Sequence, residues 1–310
     1  QRWGKTQAFT QGVGHISIQT PTYESTSTAT LIAPHLLLTC AHSFEGKELN
    51  DKKIFEVTVN GRFYSSEITA VFFPCDSSPF GGVGDIAIAL LNDAIHINSY
   101  LPITTIDVRQ AIRKMIDTNK NPEFMGVSAA ELRKNGNPLE KAIMCRHVGV
   151  FTLKESNYWE PLISTFRLPE TYNHQFYKAY FQTSNFMPVF DYEYQQTKFY
   201  LETGVHACFQ PGDSGGPLLA VLDGKIQIVG VANGQFINND YIGAQSISED
   251  HADTGDVNKT SNAFSLSYQP GNPFENHWAA VNNYGLSMKE ILHKYNALEY
   301  QPYLKNSSLL

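Results

Sequence analysis

Apolar residues in this chain recur at every second position, in short runs that stop within a few residues at a turn. Short runs ending at turn residues dominate, among them "HISIQT" (15–20), "TATLIA" (28–33), "HLLLTCA" (35–41), "FEVTVNG" (55–61), "DIAIALL" (85–91) and "KIQIVGVA" (225–232), with the alternation plainest in the first and fourth. A period of two puts alternate side chains on one buried face, so the pattern predicts many short antiparallel strands arranged as barrels or sandwiches. The chain has 310 residues, 42% of them hydrophobic, which is enough for a large core in one all-β unit or two subdomains.

Helical spacing is confined to a few places. Val108, Ile112 and Met115 share a face over 107–117, and Ser128-x-x-Glu131 reads as a capping box opening a short helix that closes at Gly136. Near the end, Ser287 and Glu290 repeat that device ahead of a stripe of Met288, Ile291, Leu292, Tyr295 and Leu298, which predicts a terminal helix docked by its apolar side.

Several function classes are disfavoured. A net charge of −7 and the lack of a basic cluster interleaved with aromatics argue against nucleic acid as a partner. No apolar run reaches the roughly 18 residues of a membrane span. The longest, around 29–41, is interrupted by Pro34 and His35. The first twenty residues hold no apolar signal core, so the sequence by itself gives no compartment. Cys40, Cys75, Cys145 and Cys208 are far apart with no CxxC, which excludes the common zinc spacings; two disulfides and four free thiols both fit. Glu249, Asp250, Asp253 and Asp256 lack the EF-hand pattern and read as a solvated loop. Neither a metal nor a cofactor is expected.

Chemistry concentrates in "CFQPGDSGG" (208–216). Adjacent glycines lose much backbone entropy on folding and add nothing to a core, so the run needs a local reason. Acyl transfer supplies one, because glycines beside a nucleophilic serine let backbone N–H groups converge on a developing oxyanion. Ser214 would then need a base, and the base a buried acid to orient it. His42 follows an apolar strand in "LLLTCAHSF", and Asp85 leads into another. An acid there is expensive to bury without a partner.

In this order, "TCAH" (39–42), "GDIAIALL" (84–91) and "GDSGGP" (212–217) resemble the chymotrypsin-like serine proteases. The likeness covers residues 14–108 and 140–298 and implies an all-β fold of two antiparallel six-stranded β-barrels, a C-terminal helix and inserted helices and loops. On that pattern residues 1–108 form the N-terminal barrel, 109–139 an inter-barrel helical insertion, 140–298 the C-terminal barrel with its helix, and 299–310 a tail. The aromatic-rich stretch 172–200 would supply second-barrel strands, and 237–274 a polar insertion. Carried over by motif, His42 is general base and acid, Asp85 its orienter and Ser214 the nucleophile, with the N–H groups of Gly212 and Ser214 as oxyanion hole. The resemblance further implies a monomeric endopeptidase acting on a protein or peptide, and it favours export.

The departures carry their own expectations. There is no "IVGG" start whose ammonium could meet Asp213. The string "MCRHVGV" (144–150) resembles the Cys-Arg segment of the bacterial streptogrisin and α-lytic protease branch, which predicts an Arg146–Asp213 ion pair. No cysteine follows His42 directly and none follows Cys208, so the family's bridges around those motifs cannot form. In the specificity pocket Cys208 replaces the acid of trypsin, Asn233 stands where a serine is usual and Gln235 where a glycine is usual. Asn276 falls on the third wall. An uncharged residue before the scissile bond is the expectation. The altered pocket keeps open a silent or zymogen-locked homologue that binds a partner instead.

Overall fold

The computed structural model describes residues 10–48, 50–60, 62–74, 85–107, 124–129, 131–132, 143–144, 146–153, 180–191, 212–237 and 274–308. Those between 131 and 191, with 124, 233–237, 274–277 and 283, enter as backbone only. The described chain is mostly β. Six strands close an antiparallel barrel: β1 (Val13–Gln19), β2 (Glu24–Ala33), β3 (Leu36–Thr39), β4 (Lys52–Val59), β5 (Arg62–Phe72) and β6 (Ala87–Leu91), in the order β1-β2-β3-β6-β5-β4. The pairing of β4 with β1, Ile16 opposite Phe55, completes the ring.

Alternation explains the ring's inside. Phe55, Val57 and Val59 of β4 are buried while Glu56 and Thr58 are only partly covered. With Ile16, Ile18, Leu31 and Leu37 they fill the barrel interior. Strands β3 and β6 lack a polar face for a different reason. Leu37, Ala87 and Ala89 point into the barrel core, whereas Leu36, Leu38, Ile86 and Ile88 belong to a second core shared with the rest of the chain. A strand buried on both faces reads as a continuous apolar run.

That second core lies against a six-stranded antiparallel sheet. Its strands are β7 (Phe124–Ser128), β10 (Arg146–Leu153), β11 (Tyr180–Asp191), β12 (Pro217–Leu222), β13 (Lys225–Ile237) and β14 (Phe274–Ala280), in the order β10-β11-β14-β13-β12-β7. Strand β7 pairs with both β12 and β10. The β12–β13 hairpin turns through Asp223 and Gly224 at φ 50° and 75°, a two-residue loop matching the right-handed strand twist. Two short strands, β8 (Glu131–Leu132) and β9 (Ile143–Met144), pair separately.

The helix read from Ser128 does not open there. Residues 124–128 are a strand and 131–132 another. Ser128 stands opposite His147 of β10, and Glu131 and Leu132 pair with β9, so a helical turn opening at Ser128 would give up both pairings; residues 133–136 lie outside the described residues. The helix read over 107–117 lies outside the described residues beyond Asp107. The terminal helix, α1 (Gly285–Lys294), is present, with Met288 and Leu292 fully buried in the shared core. Its cap differs from the expectation. The chain enters from β14 through a 3-10 turn at Val281–Tyr284, Tyr284 is the N-cap, and Ser287 already lies inside the first turn.

Residues read as a tail are docked. A 3-10 turn (Leu298–Tyr300) and α2 (Pro302–Asn306) follow, with Leu304 fully buried. The buried Gln301 amide donates to the carbonyls of Ile32 (2.8 Å) and Leu101 (3.1 Å), and its oxygen accepts from the N–H of Ile103 (2.8 Å). It ties the C-terminal segment to β2 and to the stretch leaving the barrel. Among the described residues no helix is long and apolar enough to cross a membrane.

Candidate functional site

Antiparallel pairing of β3 with β6 sets Thr39 opposite Ala87. The residue three beyond Thr39 and the residue two before Ala87 consequently meet at one end of the barrel. They are His42, first residue of the 3-10 turn His42–Phe44, and Asp85. Both carboxylate oxygens of Asp85, which is fully buried, are taken by His42. The His42 backbone N–H donates to Oδ1 at 2.8 Å, and Nδ1 lies 2.7 Å from Oδ2. A carboxylate can only accept, so Nδ1 carries a proton and Nε2 is the working nitrogen.

The turn Gly212–Gly216 is fastened against the same end of the barrel. The N–H of Thr28 in β2 donates to the Ser214 carbonyl at 2.8 Å, and its hydroxyl donates to the Gly212 carbonyl at 2.8 Å. The N–H of Gly215 donates to Ala232 in β13 at 2.8 Å. Gly212 and Gly215 sit at φ 102° and 86°, where L side chains are strained. A Cβ on Gly215 would collide with the Thr28 carbonyl and the Thr39 hydroxyl and press on the Cys40 N–H. Ser214 therefore follows a backbone that abuts the segment leading to His42. Its hydroxyl is not hydrogen-bonded to His42 in this arrangement; the polar atom recorded near Nε2 is Cys40 Sγ, at 3.8 Å.

Asp213 has a neighbour the sequence did not announce. Ser128 Oγ donates to Asp213 Oδ1 at 2.5 Å, and Thr28 Oγ1 accepts from the N–H of Ala129 at 3.1 Å. Each hydroxyl has one proton. With Thr28 bonded to Gly212 and Ser128 to Asp213, the 3.4 Å approach of the two hydroxyls is packing within one network. These contacts escaped sequence reasoning because Thr28 and Ser128 lie 184 and 85 residues from their partners in the turn, Thr28 carries no motif, and the motif at Ser128 points to a helix cap. Arg146, expected beside Asp213, opens β10, whose next residue His147 stands opposite Ser128 in the β7 ladder; its side chain lies outside the described residues.

The pocket residues fare unevenly. Register places Gln235 directly opposite Asn276 across β13 and β14, and the ladder shifts at Asn233, between Ala232 and Gly234. Cys208 is outside the described residues, as are Glu249, Asp250, Asp253 and Asp256. Cys40 is a free, fully buried thiol whose sulfur also lies 2.8 Å from Ser43 Oγ. Cys75 and Cys145 lie outside the described residues as well.

The electrostatics at His42 favour its charged form. Burial is the largest influence and works against the imidazolium, but the charge of Cys40 as thiolate and the hydrogen bonds and charge of Asp85 outweigh it and push the His42 pKa up to about 11. A buried acid, an imidazole fixed through Nδ1 and a glycine-strained turn bearing a serine lie at one end of the barrel, and in its neutral form that imidazole can take a proton from a hydroxyl brought to Nε2. In comparisons with known proteins, no family model and no curated protein matches this chain.

Proposed function

We propose that the chain is a serine endopeptidase of the chymotrypsin-like kind, its second sheet closing as the second barrel and the substrate lying between the two. The observation that carries this reading is the His42–Asp85 pair, at 2.7 Å, set beside the pinned turn that bears Ser214. Ser214 Oγ attacks the scissile carbonyl as its proton passes to His42 Nε2. The negative oxygen is held by the N–H groups of Gly212 and Ser214, and Asp85 stabilises the imidazolium. His42 then protonates the leaving amine. A water, deprotonated by His42, hydrolyses the acyl-enzyme and restores Ser214. Neither metal nor cofactor enters these steps. Asn233, Gln235, Asn276 and Cys208 would line a pocket for an uncharged side chain, and Arg146 would join Ser128 at Asp213. The protein substrate meets a monomer.

A second reading is favoured by one observation, the missing Ser214–His42 hydrogen bond with Cys40 near Nε2 instead. It is a silent or zymogen-locked homologue whose surface binds a protein partner. Labelling of the full chain by a fluorophosphonate probe separates the two. Modification mapped to Ser214 and lost in Ser214→Ala and His42→Ala supports the peptidase; intact folded protein that does not label supports the second reading.

A further inference from the structure

The mechanism above leaves one group beside His42 unused, the thiol of Cys40. We propose that Cys40 Sγ and His42 Nε2 form a binding site for a soft divalent cation of the zinc type, and that the bound ion switches the site off. Three features point there. First, the sulfur and nitrogen are 3.8 Å apart. An ion bonded at about 2.3 Å to a thiolate and 2.0–2.1 Å to an imidazole at a tetrahedral angle spans about 3.6 Å between them, so the gap closes with a shift of a few tenths of an ångström. Second, metal-binding histidines commonly donate their other N–H to a carboxylate, which fixes the tautomer and the ring. Asp85 already does this at 2.7 Å, and because both its oxygens are engaged by His42 it orients the ring instead of binding the ion. Third, the thiol is fully buried while the His42 side chain is 27% exposed, so an ion reaches the pair from the His42 side and completes its shell with water or Ser214 Oγ. Ser43 Oγ, 2.8 Å from the sulfur, donates to the thiolate.

Binding sends to solvent whatever proton the pair holds on Sγ or on Nε2, since the ion bonds only to a thiolate and to an imidazole whose Nε2 is free, and it then occupies the Nε2 lone pair. That lone pair is the one Ser214 needs, so the inhibitory half of the inference rests on the peptidase reading, whereas the binding half does not. The test uses Co2+ as a spectroscopic probe on the full chain, reading the thiolate-to-cobalt absorption. One equivalent should bind to the wild type and to Ser214→Ala. The band should vanish in Cys40→Ala and in its size-matched counterpart Cys40→Ser, although Cys75, Cys145 and Cys208 remain. Asp85→Asn should weaken binding about 10–100-fold. A band of undiminished strength in both Cys40 variants overturns the site. In parallel, Zn2+ should slow fluorophosphonate labelling of the wild type at least tenfold, reversibly with a chelator, and leave Cys40→Ser unaffected; equal slowing of both overturns the switch. A Cys40-dependent cobalt band with no labelling even under chelator would sustain the site and remove the peptidase. Labelling without that band would do the reverse.

Discussion

Thr28 belongs to no motif, yet this residue of β2 is hydrogen-bonded to the Gly212–Gly216 turn, to Thr39 of β3 and to Ala129 just past β7. Thr28→Val keeps shape and removes the hydroxyl, leaving the Gly212 carbonyl and the Ala129 N–H short of a partner. Such orphaned groups cost about 1–3 kcal/mol. Urea unfolding should show that loss, and probe labelling should slow because the Gly212 peptide is no longer held; Thr28→Ser should restore both. His42 makes the second prediction at this scale. Its pKa is raised in the folded state above the ordinary value near 6.5. Its contribution to stability is therefore complete below about pH 6.5 and lost as pH climbs toward about 11. On the proposed peptidase reading the sign for labelling is opposite: only neutral Nε2 can accept the serine proton, so the rate should rise with pH. Cys40→Ala removes one raising influence, so the acid limb of the pH–rate profile should move to lower pH. A limb that stays in place would show that the thiol does not couple to His42.

Among elements, the turn before β12 and the turn after it make a controlled pair. Gly215 and Gly224 both have positive φ, 86° and 75°, but a Cβ on Gly224 meets nothing within 4 Å. Gly224→Ala should thus lose only the left-handed strain, roughly 1–2 kcal/mol, with labelling unchanged. Gly215→Ala adds a collision with β2 and β3 and should abolish labelling even where far-UV circular dichroism is retained. Element legibility followed the same logic. Period-two runs marked β1, β2, β4 and β13 because sheet faces impose that period. Ser128-x-x-Glu131 misled because a capping box is a local pattern, whereas Ser128 ends β7 opposite β10 and Glu131 opens β8 opposite β9, pairings with strands elsewhere in the chain. The hydroxyl expected to cap a helix instead donates to Asp213.

For the molecule as a whole, the C-terminal segment is the closure. Leu304 is fully buried in the core shared by the barrel and the second sheet, and Gln301 bonds to Ile32, Leu101 and Ile103. Leu304→Ala should lower stability by about 2–5 kcal/mol, measured by urea unfolding. Gln301→Ala should also destabilise, by orphaning the Ile103 N–H. A C-terminus that could be altered at both positions without loss would mean it contributes no closure. The sequence by itself determined the β character, the apolar strands on either side of the candidate site, and the residues His42, Asp85 and Ser214, because residue period and motif chemistry are local properties. Only the tertiary structure decided that His42 closes on both oxygens of Asp85, that Thr28 and Ser128 hold the Ser214 turn, and that Cys40 faces Nε2. The first two join residues far apart along the chain and the third depends on the turn taken by Cys40–His42, so strand pairing and burial set them and no local pattern encodes them.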